Sequence, residues 1–160
     1  MKGYLANGLF TLGDRLVNVF ISTRLRIEVP EAELYVPGEN EAINDKSSYA
    51  DSITIFKSDK EKLLEADFMI AVIDGVEIDS GVASEIGMFA MTGKPIFALY
   101  SDIRQHGRDN ADKIDALVED GTENQFMYRN LFVVGLIKES NGGIFDEFED
   151  VIQSVKEKFS

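Results

Sequence analysis

The apolar run Phe68-Met-Ile-Ala-Val-Ile73, bounded by Asp67 and Asp74, has strand length and no polar alternation. Such a run predicts a strand buried on both faces, as parallel sheets require. A short acidic loop with Gly75 follows, then a helical stretch that Gly93 and Pro95 bring to an end. A second apolar run, Ile96 to Tyr100, closes the unit. Residues 67–100 therefore read as a strand–loop–helix–strand crossover. Its ligand is expected at the carboxyl ends of the strands, and Asp74, Asp79 and Glu85 fall at or just beyond that edge.

The rest of the chain repeats this alternation. Residues 3–10 predict a short first strand turning at Asn7-Gly8, with Tyr4, Gly8 and Phe10 at its carboxyl edge. For Phe10 a place in the core is the equal alternative. Leu12, Leu16, Val19, Phe20 and Leu25 recur at helical spacing and predict a crossover helix over 12–28, polar outward through Asp14, Arg15, Asn18 and Arg24. A second strand is expected at Glu33–Val36. Residues 39–52 are polar and irregular, a loop that is either functional or mobile. A short helix over 59–66 is expected, with Ser58 or Asp59 as its N-cap. Another helix is expected at about 109–119. Segment 126–139 suits strand or helix, and the spacing of Leu131, Val134 and Ile137 favours helix. Asn141-Gly-Gly143 reads as a break before an amphipathic terminal helix. No repeat or linker divides the chain, so residues 1–160 are expected to form one domain with an α/β, flavodoxin-like fold.

Composition narrows the function. Hydrophobic residues make up 44% of the 160, enough for a real core. The formal net charge of −13 disfavours nucleic acid and anionic membrane surfaces. No apolar run approaches membrane-spanning length. Cysteine is absent and there is a single histidine, His106, in a polar loop. No disulfide or structural metal is expected, which fits a cytoplasmic location.

The chemistry that remains is carried by carboxylates. If Asp79 or Ser80 caps the helix, Glu85 lies one to one-and-a-half turns in, where the amide dipole favours a charged carboxylate. Gly81 and Ala83 are small and allow close approach to the backbone. An ionised carboxylate beside small residues suits a nucleophile that attacks carbon; it equally suits an acid placed only for the dipole. Asp59, Asp79 and Glu85 converge by topology, with the Tyr4 hydroxyl at the neighbouring strand. No phosphate-cradling Walker sequence, G-x-G-x-x-G or Ser-His-Asp arrangement is present. Carboxylates alone suit glycosyl transfer, one attacking the anomeric carbon and another protonating the leaving group.

These residues resemble the nucleoside 2-deoxyribosyltransferase family. The matching pieces are Tyr4-Leu-Ala, Asp59 with Leu63-Leu64 and Ala66-Asp67, Ile73-Asp74-Gly75, and Asp79-Ser-Gly81 with Glu85-Ile-Gly87 and Ala90. Lys94-Pro95, Asn130-Leu131-Phe132 and Gly142-Gly143 complete the pattern, in the family's order. The first loop departs from it, having Asn7-Gly8 where the family usually has Gly-Pro.

The resemblance implies that Glu85 forms a covalent 2-deoxyribosyl ester. Asp59 and Asp79 contact the base and exchange its proton, and Tyr4 orients Glu85. Asn130 reaches a sugar hydroxyl from a neighbouring subunit. Gly8, Phe10, Asp74 and Gly81 are the remaining candidates for substrate contact. It further implies no cofactor, deoxynucleosides and free bases as partners, and a homo-oligomer. Hydrolysis of the same ester is the alternative reaction, and a non-catalytic nucleotide-binding module the alternative of another class. The first loop offers a 5′-phosphate only Arg15, which argues for unphosphorylated nucleosides.

Overall fold

The computed structural model describes residues 1–45 and 49–160. Five strands, β1 (Lys2–Ala6), β2 (Glu33–Tyr35), β3 (Phe68–Val72), β4 (Ile96–Leu99) and β5 (Gly143–Phe145), form one parallel sheet in the order β2-β1-β3-β4-β5. Helix α1 (Leu12–Glu28) joins β1 to β2, and α2 (Glu41–Asn44) and α3 (Ser52–Glu65) join β2 to β3. Helix α4 (Ser80–Ala90) joins β3 to β4; α5 (Ala111–Glu119) and α6 (Leu131–Glu139) join β4 to β5; α7 (Phe148–Phe159) ends the chain. This is the doubly wound, flavodoxin-like arrangement. Its strand order reverses between β1 and β3, the point at which such sheets bind ligands.

The two faces of the sheet carry separate cores. One packs Leu5, Phe68, Ile70 and Phe97 under Ile21 and Leu25 of α1 and Val151 and Val155 of α7. The other packs Tyr4, Met69, Ala71 and Ala98 under Leu63 of α3, Ile86 and Phe89 of α4, and Val133 and Ile137 of α6. Central strand β3 is buried at every position, as its unbroken apolar run requires.

Helix α1 corrects the expected inward face. Leu12, Leu16, Val19 and Phe20 are exposed, whereas Asn18, Ile21, Ser22 and Leu25 face the core. The true inner stripe contains two polar residues, so hydropathy alone selects its rival. Both polar side chains are satisfied where they sit. Asn18 accepts from Asn7 Nδ2 at 2.9 Å and donates to Gly8 O at 2.9 Å, and Ser22 Oγ donates to Val19 O.

Three further boundaries differ from expectation. Helix α3 starts at Ser52 with Asp51 as its cap, accepting from Thr54 N, so Asp59 lies in mid-helix and caps nothing. Thr54, Ile55 and Phe56 are β-prone by propensity, yet all three are helical and exposed, in the first turns that the Asp51 cap starts. The Asn141-Gly-Gly143 break leads into edge strand β5, too short to show a period. The polar stretch 39–52 holds a 3₁₀ turn, α2 and the start of α3; the expectation for it also covers residues 46–48, which lie outside the described residues.

Ser140 ties α6 to the sheet. Its buried Oγ accepts from Ile96 N at 2.9 Å and donates to Ile137 O at 2.6 Å. Ser140→Ala leaves the Ile96 N–H unpaired at the start of β4 and should cost roughly 1–3 kcal/mol. Urea unfolding of wild type and variant measures this; an unchanged midpoint would mean that water or backbone movement satisfies Ile96.

Candidate active site

Strand pairing dictates the site. Tyr4 of β1 and Tyr35 of β2 are register partners, so both side chains leave the same face of the sheet. Their rings lie 5.5 Å apart, inclined by 32°. That face is covered by α3 and α4, each of which presents a carboxylate to one tyrosine. Tyr4 Oη donates to Glu85 Oε1 at 2.6 Å. Tyr35 Oη donates to Asp59 Oδ1 at 2.8 Å. Two tyrosine–carboxylate pairs thus stand side by side beneath the helices, beside the reversal point between β1 and β3.

Asp79 sets the direction of α4. Its Oδ1 accepts from Gly81 N at 2.9 Å and Val82 N at 3.1 Å, which is an N-cap. A side chain at position 81 would bring its Cβ to 3.0 Å from that oxygen, so glycine keeps the cap close. The cap places Glu85 one and a half turns along, where the helix passes over Tyr4.

The environment makes Glu85 hard to ionise. Burial raises its pKa to about 7; the Tyr4 hydrogen bond acts against this rise, while the charges of Asp59 and Asp79 add to it. Burial likewise raises Asp59, opposed by the hydrogen bond from Tyr35. Tyr4 is raised far above an ordinary phenol, by burial first and by the negative charge of Glu85 next. Tyr35 is pushed up to about 12, again chiefly by burial. Both phenols therefore keep their protons and act as donors. Each carboxylate has one oxygen held by a tyrosine and one without a hydrogen-bond partner among the described residues.

The remaining candidates lie around this pair of pairs rather than in it. Asp74 accepts from Ser101 N at 2.7 Å and Ser101 Oγ at 2.6 Å, fastening the end of β3 to the end of β4. Gly8 backs onto the α1 capping box: a Cβ there would meet Asp14 Cγ at 2.8 Å. Phe10 is 77% exposed and lines a cleft of about 500 Å³ with Arg15, Asn18, Val19 and Val36, on the α1 side of the first loop. Asn130 caps α6 through Phe132 N and Val133 N, and lines a second cleft with Ile78 and Ala83 near the start of α4. Within one chain Asn130 makes no hydrogen bond to Glu85, Asp59 or Tyr4.

Tyr35 and Asn40 are the site residues that sequence reasoning missed. Asn40 Nδ2 donates to Tyr35 Oη at 2.9 Å and to Ser58 Oγ at 3.1 Å. The signal available was a tyrosine in each of two short strands, Tyr4 within β1 and Tyr35 at the end of β2. Only their register reveals that the two side chains share a face.

No curated protein matches the chain at a significant level. Among solved structures, the chain is similar to a conserved protein from Enterococcus faecalis V583, with 46% identity over 99% of both chains and a TM-score of 0.92. It shares its fold with the 2-deoxyribosyltransferase of Bacillus psychrosaccharolyticus, at 23% identity over 95% of this chain and 90% of that one, with a TM-score of 0.64. It also shares its fold with a 2-deoxyribosyltransferase from Leishmania mexicana, at 18% identity over 99% of both chains and a TM-score of 0.64. The family model for nucleoside 2-deoxyribosyltransferase matches residues 4–147, a span that runs from Tyr4 past Asn130 and takes in every carboxylate of the site. The chain belongs to the nucleoside 2-deoxyribosyltransferase family.

Proposed function

We propose that this chain moves 2-deoxyribose between nucleobases by a retaining double displacement through a deoxyribosyl ester of Glu85. The observation that carries the reading is the 2.6 Å bond from Tyr4 Oη to Glu85 Oε1, at a half-buried carboxylate that also feels the charges of Asp59 and Asp79. Tyr4 holds Oε1 and leaves Oε2 to attack. In the first step Oε2 bonds to the anomeric carbon as the bond to the base nitrogen breaks. The electron pair goes to that nitrogen, which takes a proton from the carboxyl of Asp59 or Asp79. In the second step a new base attacks the same carbon and gives its ring-nitrogen proton to the Asp59 or Asp79 carboxylate, the ester bond breaks, and the Glu85 carboxylate is restored. Two inversions give net retention. Residues 1–160 act as one domain in this reading, without a cofactor.

Unphosphorylated deoxynucleosides and free bases are the substrates this site fits. At the start of α1, nearest the first loop, the capping box engages the amides of Thr11 and Asp14 and sets the Asp14 carboxylate against the helix N-terminus. A carboxylate already there disfavours a 5′-phosphate at that helix end. Base exchange tests the reaction: deoxyinosine with excess adenine should yield deoxyadenosine, read by chromatography. Free hypoxanthine without deoxyadenosine would replace transfer by hydrolysis. Binding without release of any base would leave only a nucleoside-binding module.

The pH dependence follows from Glu85. Only its ionised form attacks, so kcat/KM should fall as pH drops through about 7. The Tyr4 hydrogen bond lowers that pKa, so removing it raises the midpoint. Tyr4→Phe should therefore move the acid limb to higher pH and reduce the plateau roughly tenfold. A Tyr4→Phe limb that stays in place would separate Tyr4 from the ionisation of Glu85.

A homo-oligomer completes the reading. Leu12, Leu16 and Val19 on α1, and Leu131 and Phe132 beside Asn130, form apolar surfaces left exposed by the single chain. A second copy covering Leu131 and Phe132 would carry Asn130 to its own site. Sedimentation of a fully active monomer would sink this role for Asn130.

A further inference from the structure

The second tyrosine–carboxylate pair has a fixed direction. An amide N–H of Asn40 can only donate, so the Tyr35 hydroxyl accepts from it at 2.9 Å. The Tyr35 proton is thereby turned to Asp59 Oδ1, 2.8 Å away. Asn40 is itself anchored to Ser58 Oγ, in the turn of α3 that carries Asp59. Asn40 belongs to the loop after β2 and Tyr35 to the strand, so the loop and the sheet hold one carboxylate between them. Asp59 Oδ2 has no hydrogen-bond partner among the described residues.

We propose that Tyr35 is a positioning residue of the reaction: backed by Asn40, it pins Oδ1 of Asp59 and leaves Oδ2 as the oxygen that exchanges a proton with the base. The proposal rests on the transferase reading for its chemistry. In the first step the proton moves from Oδ2 to the ring nitrogen as the glycosidic bond breaks, and Oδ1 keeps the Tyr35 hydrogen bond throughout. In the second step the attacking base returns its proton to Oδ2. Tyr35 itself gives up no proton. Without the relay the carboxyl can turn about its last torsion and present either oxygen, which is the freedom that positioned catalysis removes.

The groups facing Asp59 are Tyr35 from β2, Tyr4 from β1 and Glu85 from α4. Among the described residues no lysine or arginine pairs with it. The Tyr35 hydroxyl is therefore the group that favours the ionised form of Asp59, against burial.

Two readouts on Tyr35→Phe test the relay, and one of them needs no turnover. The first is a carbon-13 NMR titration of the Asp59 carboxyl, assigned with Asp59→Asn. The midpoint should rise in Tyr35→Phe, because the lost donor had favoured the ionised carboxylate. The second is a double-mutant cycle on base exchange. Tyr35→Phe alone should lower kcat by about tenfold with KM changed by less than about threefold, and should have no further effect in the Asp59→Asn background. An unmoved Asp59 midpoint, or losses that add in the double variant, would overturn the relay. Wild-type protein that exchanges no base would fail the transferase reading instead, and the NMR titration would still decide whether Tyr35 governs Asp59.

Discussion

Glu85→Gln is expected to abolish base exchange while the protein stays folded. An amide is not a nucleophile towards the anomeric carbon, so the double displacement loses its first step. The loss should be at least about a thousandfold in kcat, within the range found when a nucleophile is removed from a unit of cooperating groups. The substitution keeps the side chain's shape, and Oε1 can still accept the Tyr4 hydrogen bond seen at 2.6 Å. Stability should move the other way at high pH. The folded pKa of Glu85, about 7, lies above its ordinary value of 4.5, so the folded state holds the proton more tightly than the unfolded chain does. Stability contributed by this group is therefore present at low pH and falls as pH rises from about 4.5 through about 7. Glu85→Gln should escape that fall and melt at or above the wild-type temperature at pH 8. Near-wild-type turnover in a folded Glu85→Gln protein would refute the nucleophile assignment.

Asp59→Asn should give the second largest effect. A positioned general acid typically contributes about a hundredfold to ten-thousandfold. Asn at this position can still accept from Tyr35 Oη, so the pair at 2.8 Å survives while the exchangeable proton is lost. We expect kcat to fall by about a hundredfold or more for deoxyinosine, with KM little changed. The defect should shrink for a nucleoside whose base leaves without protonation, such as 7-methyl-2′-deoxyguanosine. Steady-state kinetics on both substrates would show it. An equal loss on both would assign Asp59 to binding or orientation rather than to proton transfer. Asp79 offers a contrast, because its Oδ1 is already engaged as the cap of α4. Its replacement would disturb the helix that carries Glu85 as well as any contact with the base.

What the sequence could show was set by how local each feature is. The parallel sheet was legible because β3 is an unbroken apolar run, and the crossover around it is closed by Gly93 and Pro95. The position of Glu85 on α4 was legible because the distance from a cap to a residue one and a half turns away is a local property of a helix. The inward face of α1 was not. Asn18 and Ser22 are buried with their hydrogen bonds satisfied, Asn18 by Asn7 and Gly8 outside the helix and Ser22 by Val19 O within it. The start of α3 was hidden by a β-prone run at Ile53–Phe56, which made Asp59 resemble a cap when it sits in mid-helix. Tyr35 was hidden for a third reason: its role depends on register with Tyr4, a relation between two strands that neither strand encodes alone. The start of α3 was hidden by local propensity, the face of α1 and the place of Tyr35 by non-local contacts, and the register of Tyr35 with Tyr4 is the one that sets the two tyrosine–carboxylate pairs side by side.

The measurement that bears most directly on the central proposal is intact-protein and peptide mass spectrometry. The protein is mixed with deoxyinosine, without an acceptor base, and quenched in acid. One added 2-deoxyribosyl group is expected on the peptide carrying Glu85, absent from Glu85→Gln and discharged to deoxyadenosine when adenine is supplied. An adduct on another residue, or an exchanged nucleoside of inverted anomeric configuration, would contradict it.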